Sequence, residues 1–213
     1  ERRLSDLELA AHHYNHWSVA TQLRGESVQA LRAIDDALLL APRHAGFLNN
    51  RSVVLMSLGE LDNAYAEIAH AIRRQPEVAL YRYQWGLLEL ERGSPHAAVR
   101  ALKSAIALRP DYPRARVELG WALLLSGDDR RGSDELRRVA EMPTSAPRAW
   151  LLFAIRAMSR NQREVVRSTL EKPLPPEARA ELRRWLDGDE PSGEVGRMLS
   201  MLRGTQNEEN AMR

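Results

Sequence analysis

The reading turns on GESVQALRAIDDALLLAPRHAGFLNNRSVVLMSLG, residues 25–59, which begins and ends on glycine. One interval separates Gly25 from Gly59, Gly59 from Gly93, and Gly93 from Gly127. Pro42, Pro76 and Pro110 keep that interval too, as do Ala30, Ala64 and Ala98, with Gly132 in the fourth place. Ala37, Ala71 and Ala105 follow, then Val139. Ser18, Ser52, Gly86, Gly120 and Ala154 form a column of small residues, and Ile34, Ile68, Leu102, Leu136 and Leu170 a column of large apolar ones. A fixed period of this length is the mark of a repeat architecture.

Each column has a physical cause. Leu31, Ile34, Ala37 and Leu38 recur at helical spacing, so this stretch is an amphipathic helix. The glycine falls between two such stretches, where a positive φ ends the first helix. The proline follows the second stretch, where no helix continues through it. Small residues stand where two helix backbones approach. Each period therefore codes helix, tight turn, helix, loop. One such pair cannot bury its apolar face alone, so the pairs stack.

The pattern resembles the tetratricopeptide repeat family, whose unit is an antiparallel helix pair of about 34 residues. The resemblance implies an all-α TPR α-solenoid, a right-handed superhelix of antiparallel helix pairs. Four repeats span 11–44, 45–78, 79–112 and 113–146, and a degenerate fifth spans 147–173, its second helix cut short by Pro173. Residues 1–10 extend the first helix, with Ser5 and Glu8 fitting a capping box. Residues 174–188 read as a capping helix with Ala178, Leu182, Trp185 and Leu186 on one face. Residues 189–213 read as a short amphipathic stretch, Val195, Met198, Leu199 and Leu202, then a flexible tail from Gly204.

Composition narrows the function classes. The chain has 213 residues, 44% hydrophobic and 28% charged, which suits a folded domain. No cysteine is present, so disulfides, thiolate metal sites and cysteine nucleophiles are excluded. Of 31 basic residues only Lys103 and Lys172 are lysine, a usage that fits a GC-rich bacterial genome. The net charge is only +2 and arginines interleave with acids, as on a solvated helix surface rather than a nucleic-acid interface. No apolar run approaches the roughly 18 residues of a membrane span, so membrane association is expected only through an upstream anchor or a partner.

No phosphate loop, nucleophile elbow or zinc-protease motif occurs, so no catalytic residue, cofactor or metal is expected and the chain reads as no enzyme. His12 and His16 share the spacing of a two-histidine zinc site, but no third ligand accompanies them and His13.

In the family, the first helix of each pair lines a concave groove that holds a peptide. Carried over by position, the partner-binding groove comprises Asn15, Val19, Asn49, Val53, Tyr83, Leu87, Leu90, Arg114, Trp121, Leu124, Arg148 and Ile155. Asn15 and Asn49 suit peptide backbone amides. Leu87, Leu90, Trp121, Leu124 and Ile155 suit an apolar or amphipathic segment, and Arg114 and Arg148 suit acidic groups flanking it. The alternative is that this face is filled from within, by the C-terminal segment among others. The carboxylate clamp of chaperone-binding members is absent, since Glu118 would face the carboxylate.

The expected function is thus a non-enzymatic adaptor that binds a protein or peptide partner. In size and style the chain is loosely similar to bacterial TPR accessory proteins of envelope assemblies, in pilus assembly or exopolysaccharide export; the resemblance leans toward an envelope-associated setting, periplasm or membrane-proximal cytoplasm, and leaves the compartment open. Two alternatives stand beside this: a self-associating scaffold, hence a homo-oligomer, and a regulatory domain of a larger membrane-anchored or enzymatic protein.

Overall fold

A computed structural model describes residues 6–140, 142 and 146–211. Ser5 of the expected capping box and part of the loop closing the fourth repeat lie outside them. Among the described residues there are twelve helices and no strand. They are α1 (Asp6–Leu23), α2 (Ser27–Leu40), α3 (Ala45–Ser57), α4 (Leu61–Arg74), α5 (Ala79–Glu91), α6 (Pro95–Leu108), α7 (Pro113–Leu125), α8 (Asp129–Ala140), α9 (Ala146–Ser159), α10 (Arg163–Thr169), α11 (Pro176–Asp187) and α12 (Gly193–Ala211). Helices α2, α4 and α6 start and stop in step with the sequence period, and so do α3, α5 and α7.

The turn inside each pair is built the same way. Gly59 sits at φ +78°. Its N–H donates to the Met56 carbonyl at 3.1 Å, and the Glu60 N–H reaches back to Leu55 O at 2.9 Å. These two bonds are a Schellman motif, which satisfies carbonyls the helix end would otherwise strand. The motif recurs at Gly25, Gly93 and Gly127. It recurs a fifth time at Asn161, the one non-glycine residue with positive φ (52°) among the described residues. Asn161 stands one full period after Gly127, and asparagine tolerates the left-handed region better than other side chains do.

The chain divides into two compact units, with α1–α5 in the first and α7–α12 in the second. In the first, α1 packs on α2, α3 on α4, and α1, α3 and α5 lie side by side. Ala45, Leu48, Leu55, Ala64, Ile68, Ala71, Ile72, Tyr81 and Leu88 form its main core, and Ala11, Ile34, Ala37 and Phe47 a second cluster. Where α1 meets α2, the buried Ser18 hydroxyl donates to Ala30 O at 2.8 Å. Arg51 of α3 bridges Asp35 of α2 and Glu67 of α4, at 2.7 and 2.5 Å.

In the second unit α7 pairs with α8, α8 meets α9, and α9 pairs with the short α10. Asp129 at the start of α8 receives both Arg156 and Arg160 of α9, at 2.8 and 2.7 Å. Helix α11 packs on α10, with Ala178, Leu182 and Trp185 buried.

The C-terminal segment differs from expectation. Helix runs from Gly193 through Ala211, where a flexible tail was expected from Gly204. It contacts α7 and α9, the first helices of the fourth and fifth pairs. Val195, Met198, Leu199 and Leu202 fall on one stripe of α12 and are all buried, so packing rather than propensity holds this helix.

Candidate functional site

The first helices supply the candidate site, because their outward column is free of the pair's own core. In the first unit, Ser18, Val19, Gln22 and Leu23 of α1, Asn50, Val53 and Val54 of α3, and Gln84 of α5 line an open cleft of about 190 Å³. Val19 is 39% exposed, and Val53 is half-buried beside it in the same cleft. The cleft is mainly apolar, with three amide side chains converging on it.

The amides are partly committed. Asn50 Nδ2 donates to Asn15 Oδ1 at 2.7 Å, and Asn49 Nδ2 donates to Asn50 Oδ1 at 3.1 Å. Asn15 and Asn49, expected to grip a peptide backbone, are thus engaged with Asn50. Asn49 is also only 3% exposed. Gln22 Oε1 is buried without a hydrogen-bond partner among the described residues. Tyr83 and Leu87 of α5 are half-buried, and Leu90 is buried.

Asn50 and Gln84 were not among the expected groove residues. A signal for them exists, because His16, Asn50, Gln84 and Glu118 form a polar column at the repeat interval.

In the second unit the expected groove residues sit differently. Trp121 and Leu124 of α7 are each 4% exposed and Ile155 of α9 is 0% exposed. The open apolar face expected for a partner is not found at these residues: Leu124 packs against Gly132 of α8, and α12 lies against α7 and α9, in line with the alternative of filling from within. Arg114 is exposed. Arg148 is already engaged: its Nε donates to Glu118 Oε1 at 2.6 Å and its Nη2 to Oε2 at 3.3 Å. Its Nη1 reaches Glu194 of α12 at 3.4 Å. Glu118 is buried, so this guanidinium neutralises a carboxylate that has little water.

His12 and His44 serve the fold. The His12 ring packs edge-on against His44 and Phe47, at 5.4 and 5.2 Å between centroids. His13 and His16 are exposed. Among the described residues no group of three or more His, Cys, Asp or Glu could hold a metal ion. Nor is any helix long and apolar enough to cross a membrane.

Two tetratricopeptide repeat family models match the chain, over residues 24–79 and 89–157. Together they take in more than half of it. The chain is a tetratricopeptide repeat protein. Its fold class is accordingly the all-α TPR solenoid, and TPR domains are protein-interaction modules.

Solved structures agree on the fold. PilW, described as a widely conserved type IV pilus biogenesis factor, aligns with a TM-score of 0.74 at 16% identity, over 94% of this chain and 92% of that one. YrrB, described as a TPR protein with an unusual peptide-binding site, aligns with a TM-score of 0.57 at 17% identity, over 96% and 98%. The Thermobaculum terrenum O-GlcNAc transferase aligns with a TM-score of 0.61 at 24% identity, over 65% of this TPR chain and 27% of the transferase. The chain thus spans about a quarter of that enzyme's length.

Proposed function

We propose that this TPR protein is a non-enzymatic adaptor that seats a partner polypeptide in the α1/α3/α5 cleft. The carrying observation is the cleft itself. Val19, Leu23 and Val53 offer apolar wall, and Gln22, Asn50 and Gln84 offer amides to an extended backbone. The test is to select peptides from a random displayed library on the intact protein. Their affinities for Val53→Arg and Gln22→Leu variants are then measured by calorimetry. At least tenfold weaker binding by Val53→Arg is expected. Unchanged affinity in both variants would show that the cleft is not the site.

The setting we propose is a bacterial envelope assembly, in keeping with the likeness to PilW and with the arginine-rich composition. Cell fractionation of the natively expressed protein tests it. Recovery with cytosolic proteins alone would reject this placement.

A second reading, a self-associating scaffold, has its own observation. Leu7, Tyr14 and Trp17 lie along one side of α1, and all are exposed. A large exposed apolar patch of this kind marks a contact surface. Light scattering across concentration tests it, and a strict monomer would remove it.

A further inference from the structure

We propose that the surface formed by α7 and α9 is a second binding site, specific for an amphipathic helix with an acidic residue in its first turn, and that α12 occupies it as an internal ligand. This goes beyond the α1/α3/α5 cleft and does not depend on it.

The first observation is a contrast within equivalent columns. Val19 and Val53 stand at the positions that Trp121 and Ile155 occupy in the fourth and fifth pairs, and they line an open cleft. Trp121 and Ile155 are buried, as are Val117, Leu151 and Met158 from the neighbouring columns. Helix pairs built on one plan thus leave this face open in one unit and covered in the other. The cover is α12, which touches the first helices α7 and α9 rather than taking the slot of a second helix in a pair.

The second observation is the chemistry of the cover. Val195, Met198, Leu199 and Leu202 follow i, i+3, i+4, i+7 and are buried, while Arg197, Ser200, Met201 and Arg203 stay exposed. That is the pattern of a helix laid into a groove. Glu194, one residue before the apolar stripe, meets Arg148. Arg148 is held in place by buried Glu118, so the groove presents a positioned cation to the ligand's first turn. Arg203, one turn past Leu199, shares a cleft with Met158 and Ser159 at the end of α9. Glu194 beside Arg148 and Arg203 beside Met158 make α12 parallel to α9. A ligand helix therefore enters with its N-terminus at Arg148.

The third observation is the attachment. Residues 188–192 connect α11 to α12, between Gly188 at φ 111° and Gly193 at φ 56°, and Ser192 among them donates its N–H and hydroxyl to Glu181 of α11 at 2.8 and 3.1 Å, bonds that break when α12 leaves. Two glycines in the left-handed region bracket the segment that has to move when α12 leaves.

The chain has no cysteine, so one introduced thiol reports on one place. Leu199→Cys puts that thiol under α12. Its reaction rate with a disulfide reagent is measured against a synthetic peptide of residues 189–204. A rise of at least tenfold that saturates with peptide is expected. A peptide carrying Glu194→Lys should need at least tenfold more. A dye on outward-facing Met201→Cys reads the same release by anisotropy, without disturbing the stripe. If the peptide changes neither signal, or the Glu194→Lys peptide acts equally, the proposal is wrong. A dimer at rising concentration that Leu199→Asp abolishes would also overturn it, since the occupant would then be the α12 of a second copy.

Discussion

Gly120 of α7 and Gly132 of α8 face each other at backbone distance. A Cβ added at Gly132 would sit 2.9 Å from the Gly120 carbonyl oxygen and 2.8 Å from Leu124 Cδ2. In the first pair the same two columns hold Ser18 and Ala30, joined by a hydrogen bond. Gly132→Ala gains about 1 kcal/mol of helix propensity. It also forces two packed helices apart, which costs about 1–3 kcal/mol. The packing term wins, because the obstruction is backbone as well as side chain. Thermal unfolding should show a lower midpoint than the parent, and an unchanged or higher midpoint would refute the close approach.

Gly93 behaves differently. A Cβ there meets nothing within 4 Å, but φ is +68°. Gly93→Ala should cost about 1–2 kcal/mol from backbone strain alone. Gly93→Asn should cost less, because Asn161 carries the equivalent turn with φ 52°. Urea unfolding of both variants decides this. Equal losses would mean that strain is not the cause.

Arg148→Met strips buried Glu118 of its bidentate partner. A loss of about 2 kcal/mol is expected, below the range for fully buried pairs because Arg148 is half in water. Replacing both partners, Arg148→Met with Glu118→Leu, should restore much of it, since no stranded carboxylate remains. A double variant as weak as the single one would contradict this.

His44 makes stability depend on pH. Its Nδ1 accepts from the Phe47 N–H at 3.3 Å, capping α3, and its ring stacks on Phe47 at 3.9 Å. Desolvation, and then the charge of neighbouring His12, hold its pKa below the usual 6.5. Neutral His44 therefore stabilises the fold fully above about 6.5, and this contribution is lost as pH falls through the lowered value. His44→Asn keeps an acceptor that does not titrate. The melting temperature of the parent minus that of His44→Asn should fall between pH 7 and pH 5. A flat difference would exclude the cap as the titrating element.

Gly196 lies in the first turn of α12, where an added Cβ would overlap the carbonyl of Pro191. Gly196→Ala should push the linker off the helix and loosen α12. Faster amide exchange across 195–202 than in the parent is expected, with α3 and α4 unchanged. Equal exchange would show that the linker yields without cost to the helix.

The repeat is legible in the sequence because its signals are local. Gly59 needs only its own φ, and Ala64 only the helix beside it. Asn161 escapes a column defined by glycine, although the physical requirement is a tolerated left-handed residue. The groove is legible as positions and not as a state. Nothing near Trp121 in sequence decides between an outside partner and the chain's own C-terminal segment as its cover. The stripe of Val195, Met198, Leu199 and Leu202 shows that α12 must bury a face, and an amphipathic pattern does not name the surface it chooses. Asn15 looks like a free amide in sequence because its partner, Asn50, reaches it only once α1 and α3 lie side by side.

The short connection from α11 to α12 sets a dose threshold. A ligand on a short tether sees its own site at an effective concentration on the order of millimolar. If free helix and α12 bind equally well, with a dissociation constant of about 10 µM, closure outweighs opening roughly a hundredfold, and half-release needs about 1 mM of competitor. Helices met in passing are ignored. Only one held nearby by other contacts, or binding about a hundredfold better than α12, is admitted.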